Sequence, residues 1–119
     1  MAMKPAPDSD YEKLFSEFLA EFKKHHRIYV MRGTYEGTCA FLVGYEVGAG
    51  RSLLKDFHEW LALRGKGRRE LYWPFLVLCE IYQDGAWPDF RYLTPEEDEQ
   101  AVSVLFALLE QFLAERRVL

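Results

Sequence analysis

The chain is poor in the features that most readily declare a function. Only two cysteines occur in its 119 residues, Cys39 and Cys79, and both lie inside apolar runs (TCAFLV and FLVLCEIY) rather than in loops. Buried free thiols in a reducing compartment are the expectation, because cysteine packs as a small hydrophobe; a Cys39–Cys79 disulfide or a metal site is the alternative. Two cysteines without a neighbouring pair of histidines cannot close a structural zinc site. No apolar run approaches the roughly 18 residues of a membrane span, and the opening MAMKPAPDSD lacks the apolar core of a secretion signal. A cytoplasmic protein with no membrane partner is expected. The net charge of −4 argues against general nucleic-acid affinity, which requires a cationic surface against phosphate.

Catalytic patterns are equally scarce. His58-Glu59 lacks the second histidine four residues after the first that a zinc-protease helix needs. His25 and His26 adjoin at a helix end and project in different directions, so surface or capping roles suit them. The basic loop Arg64, Lys66, Arg68, Arg69 carries Gly65 and Gly67, but neither the spacing nor the Lys-Ser/Thr ending of a phosphate-binding P-loop. Ser9, Ser16, Ser52 and Ser103 have no nucleophile-elbow context. No catalytic residue, cofactor or metal is expected.

What the chain does have is apolar periodicity and aromatics. Residues 1–8 read as a disordered tail and 9–119 as a single globular domain. Ser9 and Glu12 have capping-box spacing, and Tyr11, Leu14, Phe15, Phe18, Leu19 and Phe22 form one helical stripe over about 10–25. Ile28, Tyr29 and Val30 favour a strand, and the segment 27–33 stays ambiguous. Thr34 caps a nearly all-apolar helix through residue 47, and Ser52 caps another over 53–64 that Gly65 ends. Pro74 sits in the first turn of a fourth helix, which Asp84-Gly85 stops. Thr94-Pro95-Glu96-Glu97 opens the last, whose apolar face is Ala101, Val102, Leu105, Phe106, Leu109, Phe112 and Leu113. The pattern predicts a mainly α protein, a compact bundle of four to five helices. Short apolar runs leave an α+β alternative open, with a small hairpin or sheet at 27–47 and 75–82.

Two clusters could carry function. All three tryptophans, Trp60, Trp73 and Trp87, fall between Phe57 and Tyr92. Trp60 and Trp73 fit helix interiors. Trp87 and Tyr92 lie in a proline-containing loop, either folded back as a lid or presented as anchors. Around them Asp84, Asp89, Glu96, Glu97, Asp98 and Glu99 face the single cation Arg91. Acids at a helix start answer the helix dipole, but aromatics in a negative field are also what a binder of a basic surface presents.

Gly44-Tyr45-Glu46, Phe57-x-Glu59-Trp60-Leu61 and Trp73-Pro74 ahead of LVL resemble a group of small, uncharacterised bacterial proteins. In these an A-F-L-x-G-Y segment precedes G-F-x-E-W-L and then L-x-W-P-x-L-V-L. The resemblance spans about residues 34–82, departs at Asp56 where glycine is usual, and implies helix rather than strand for 34–47. More loosely, a small acidic bacterial protein of this kind resembles the immunity partners of secreted toxins.

The expected function is therefore non-catalytic binding. An immunity-type inhibitor would occlude a basic toxin domain through Asp84, Trp87, Asp89, Tyr92, Glu96, Glu97, Asp98 and Glu99. An adaptor that homodimerises through spare apolar surface at Leu108 is the alternative. A small-ligand protein with a pocket roofed by Trp60, Trp73 and Tyr45, with Tyr29, His58 and Glu59 as polar members, is a third reading.

Overall fold

The last helix begins as its sequence requires. In the computed structural model, which describes residues 8–66, 68–82 and 86–118, Thr94 N donates to Glu97 Oε1 at 2.8 Å and Glu97 N donates to Thr94 Oγ1 at 3.1 Å. This reciprocal pair satisfies two backbone donors that a helix start leaves free. The helix it opens, α6 (Pro95–Val118), runs 24 residues, about 36 Å at 1.5 Å per residue.

Among the described residues five further helices precede it: α1 (Asp8–Lys24), α2 (His26–Tyr29), α3 (Tyr35–Ala49), α4 (Leu53–Leu63) and α5 (Trp73–Ile81), with a 3₁₀ turn at Phe90–Tyr92. The architecture is a mainly α bundle, and among the described residues there is no strand. The hairpin or sheet considered for 27–47 and 75–82 does not form. Ile28 and Tyr29 belong instead to the single helical turn His26–Tyr29, with Val30 as its extended C-cap, and 75–81 is helical behind Pro74 in the first turn. In α3 the buried side chains are Tyr35, Thr38, Cys39, Leu42 and Glu46, a three-and-four spacing that only a helix puts on one face.

Helix α6 packs against α1, α3, α4 and α5, so its buried stripe is wide. Leu108 is buried beside Leu105, Leu109 and Phe112, which removes the spare apolar surface expected there. Phe15, Phe22, Tyr35, Leu42, Phe57, Leu76 and Leu78 complete the centre of the core. Leu14, expected on the α1 stripe, is 56% exposed, because Phe15 and Phe18 on either side of the stripe's axis already fill the interface. The first helix starts at Asp8, so Ser9 lies within it and is not its cap. Glu12 instead pairs with Arg116, which also reaches Asp56 at 3.2 Å. Of the expected tail, residues 1–7 lie outside the described residues. Both thiols are free and buried, and burial pushes the Cys39 thiol up.

Helix α4 is capped from a distance. Ser52 holds the N-cap position but makes no side-chain capping bond. The buried Glu46, 3% exposed, replaces it: Oε2 accepts from Leu53 N at 3.1 Å and from the Tyr11 hydroxyl at 2.6 Å, and Oε1 accepts from Leu54 N at 2.5 Å. One carboxylate thus joins α1, α3 and the start of α4, where the helix dipole favours negative charge. Burial and the bond to Glu46 hold the Tyr11 hydroxyl well above the usual phenol range.

All three contacts require an acceptor, so Glu46→Gln, whose amide must turn an N–H₂ toward a donor, is expected to lower stability by about 3 kcal/mol. Urea unfolding of Glu46→Gln, Glu46→Ala and wild type checks this: glutamine should rescue little of the alanine loss, and a glutamine variant as stable as wild type would refute the capping role.

Candidate binding groove

The connection from α2 to α3 forms one wall of a groove of about 980 Å³. Its shape depends on two glycines. Gly33 turns the chain at φ +65°, and a Cβ there would lie 2.3 Å from Arg27 Nη1. A Cβ at Gly37 would lie 2.9 Å from Val30 Cγ1 and Thr34 Oγ1. Between them Thr34 caps α3, its Oγ1 accepting from Gly37 N at 3.0 Å. Arg27, Arg32 and Glu36 give this wall its charge.

The opposite wall is the segment ahead of α6 and that helix's first turns, with Phe90, Arg91, Asp98, Glu99 and Ser103. Tyr35 holds the two walls together. Its backbone N–H donates to Asp98 Oδ1 at 2.7 Å, its hydroxyl donates to the Pro74 carbonyl at 2.6 Å, and its ring meets Phe90 edge-on at 5.6 Å. The ring is wholly buried, and burial raises its hydroxyl well above the phenol range.

These contacts separate the residues expected to bind a partner. Trp87 is half-buried, 6.1 Å from the Phe75 ring, so it acts as a lid and not as a free anchor. Glu97 belongs to the capping box of α6 and Asp98 caps α3. Asp89 accepts from Arg91 N at 3.0 Å and pairs with the Arg91 guanidinium at 3.2 Å, which holds its carboxyl below the usual range. Tyr92 is 75% exposed, with the Arg91 guanidinium 5.4 Å from its ring. Glu96 and Glu99 are exposed. Asp84 lies outside the described residues.

Tyr45, Trp60 and Trp73, expected to roof a pocket, pack on neighbouring rings of the bundle. Tyr45 stacks on Phe18 at 3.9 Å, Trp60 packs on Phe57 and Phe112, and Trp73 meets Phe57. None of the three lines the groove or the smaller cavity of about 180 Å³ beside Tyr11, Ser52 and Arg116. His58 Nε2 donates to the Leu71 carbonyl at 2.9 Å, fastening the α4–α5 loop. Among the described residues no group of three or more His, Cys, Asp or Glu side chains could hold a metal ion.

His26, expected at the surface, instead faces inward at the groove's floor. Its Nε2 lies 2.7 Å from Thr38 Oγ1, and that hydroxyl donates to the Thr34 carbonyl at 2.7 Å. The hydroxyl has one proton and it goes to the carbonyl, so the imidazole must supply the other from Nε2. That assignment leaves the Nδ1 lone pair free when the ring is neutral. Desolvation, and then the Arg27 charge, lower the His26 pKa from 6.5. Neither its neighbour His25 nor the helical spacing signals this, because the partner Thr38 lies across a turn and in another helix.

Comparison with protein-family models, curated proteins and solved structures finds no match.

Because His26 binds a proton less readily folded than unfolded, its contribution to stability is complete above about pH 6.5 and declines as pH falls below that value. Urea melts from pH 7.5 downward, roughly one unit to either side of an ordinary imidazole pKa, should show a smaller loss for His26→Gln than for wild type. Identical pH slopes would remove His26 from the account.

Proposed function

We propose that this chain is a non-catalytic binding protein that uses the α6 lip of the groove to seat a basic protein partner. The observation that carries the reading is Tyr92, a large aromatic left 75% exposed while Trp87 and Phe90 beside it turn inward onto the bundle. Aromatic side chains of this kind supply interface hot spots because they bury much area for few rotatable bonds. Arg91, fixed by Asp89, lies over the Tyr92 ring and limits its freedom before any partner arrives. Glu96 and Glu99 stand exposed in the first turns of α6, which follows Tyr92 closely in the chain, and would steer a cationic surface toward the aromatic.

The proposed contact set is thus narrower than the full acidic run: Tyr92, Glu96 and Glu99, with Asp89 and Trp87 as supports. The form of action we propose is occlusion, as in an immunity-type inhibitor that covers the working surface of a basic toxin. The loose resemblance to such partners and the absence of a recognisable catalytic set support that form. No observation favours the homodimeric adaptor built on Leu108, since that side chain is buried.

Affinity capture from the native host with wild type and with Tyr92→Ala combined with Glu96→Lys and Glu99→Lys tests the surface. Wild type should retain a basic protein that rising salt releases, and the triple variant should lose it by at least tenfold, a hot-spot-sized effect. Equal retention by both forms would rule this lip out.

A further inference from the structure

A second surface has the opposite character. Residues 22–35 carry four cations, Lys23, Lys24, Arg27 and Arg32, and no carboxylate, in a chain whose net charge is −4. At the centre of this segment are the two aliphatic side chains Ile28, 72% exposed, and Met31, 86% exposed. The exposure is fixed by their neighbours. His26 is bonded to Thr38, the Tyr29 ring lies 5.4 Å from Phe41 and 5.7 Å from Phe22, and buried Val30 sits against Gly37. With Val30 buried, His26 half-buried and the Tyr29 ring, itself 37% exposed, laid against Phe22 and Phe41, the single turn of α2 and the bend to Gly33 leave Ile28 and Met31 facing outward. The result is an outward-pointing aliphatic tip.

The cations around it are largely uncommitted. Lys23 is taken by Glu110 at 2.9 Å. Lys24, Arg27 and Arg32 form no ion pair among the described residues. Glu21 on α1 is engaged at 3.5 Å by the Tyr29 hydroxyl and lies 3.9 Å from His25, while Glu36 shares the groove wall with Arg27 and Arg32 without pairing with either.

We propose that this tip docks the protein on an anionic bilayer surface. Ile28 and Met31 enter the boundary between headgroups and acyl chains, and Lys24, Arg27 and Arg32 lie against lipid phosphates. Charge complementarity argues for this occupant: an aliphatic wedge with a cationic collar is the pairing that an anionic lipid surface rewards on both counts. A protein partner would need a hollow shaped to the tip, whereas a bilayer admits any convex aliphatic group. No helix among the described residues is long and apolar enough to cross a membrane, but docking on one demands only this shallow insertion. Arg27 and Arg32 line the groove that the Tyr92 lip also borders, but neither Ile28 nor Met31 lines it, and neither proposal depends on the other.

Co-sedimentation with vesicles of phosphatidylcholine alone and of phosphatidylcholine mixed with phosphatidylserine tests it. Wild type should bind the mixed vesicles, be released by salt, and ignore the neutral ones. Lys24→Glu with Arg32→Glu should weaken binding by more than about twenty-fold, since each cation near an anionic surface is worth roughly fivefold. Ile28→Glu with Met31→Glu should abolish it. Val47→Glu, at an exposed aliphatic on α3, should bind like wild type. Circular dichroism establishes that each variant is folded. No binding of wild type to mixed vesicles, or binding that the tip variants leave unchanged, overturns the proposal. A wild-type dimer in light scattering that the Ile28/Met31 variant splits, with vesicles unbound, would assign the tip to a second copy and overturn it equally.

Discussion

A carboxylate taken out of water must be supplied with donors, and the fold is arranged around that demand at Glu46. Its two oxygens accept from a tyrosine of α1 and from two backbone N–H groups of α4. Replacing a buried ion by a well-packed hydrophobe is often harmless elsewhere, but removing an acceptor that three donors already face leaves all three unsatisfied. The contact also sets geometry. The start of α4 cannot slide along α3 without abandoning Glu46, and α1 is held at the same point by Tyr11. With these three helices registered, Phe15, Phe57 and Leu42 meet the stripe of α6.

Tyr35 does the corresponding work at the other end of α3. Through Asp98, Pro74 and Phe90 it ties together α6, α5 and the 3₁₀ turn, and so it holds the two walls of the groove. Polar side chains that the sequence offered as contacts for a partner are thereby used internally. What stays outward is sorted by charge: Tyr92, Glu96 and Glu99 on the α6 side, and Arg27, Arg32, Ile28 and Met31 on the α2 side. The groove lies between an acidic and a basic lip, and Arg27 and Arg32 belong both to its wall and to the aliphatic tip.

Local signals were legible in the sequence and distant ones were not. The capping box at Thr94 and Glu97, the cap at Thr34, the early Pro74 and the stop at Gly65, with its φ of +72°, all act within a few residues of where they are written. Periodicity likewise located the stripes of α1, α4 and α6. It failed at Leu14 and Leu108, because a stripe's edges depend on how many helices pack against it. Ser52 has the right residue type for a cap, yet Glu46 takes that role from another helix, seven residues upstream of its nearer partner. His26 and Thr38 are joined only by the turn at Gly33. The acidic run read as one surface because charge is visible in sequence, whereas the bonds that commit Glu97, Asp98 and Asp89 are not.

The pairing of the first helix with the last sets an order of events on the ribosome. Helix α1 emerges early, yet Phe22 stacks edge-on against Phe106, Lys23 meets Glu110, and Glu12 meets Arg116. Those partners are made much later. Until they appear, Tyr11, Phe15, Phe18 and Phe22 form an aromatic ridge that the nascent chain can cover only in part, with Phe41 and Tyr45 of α3. Packing of α6 is therefore the step that covers the rest of this ridge and withdraws it from contact with neighbouring chains.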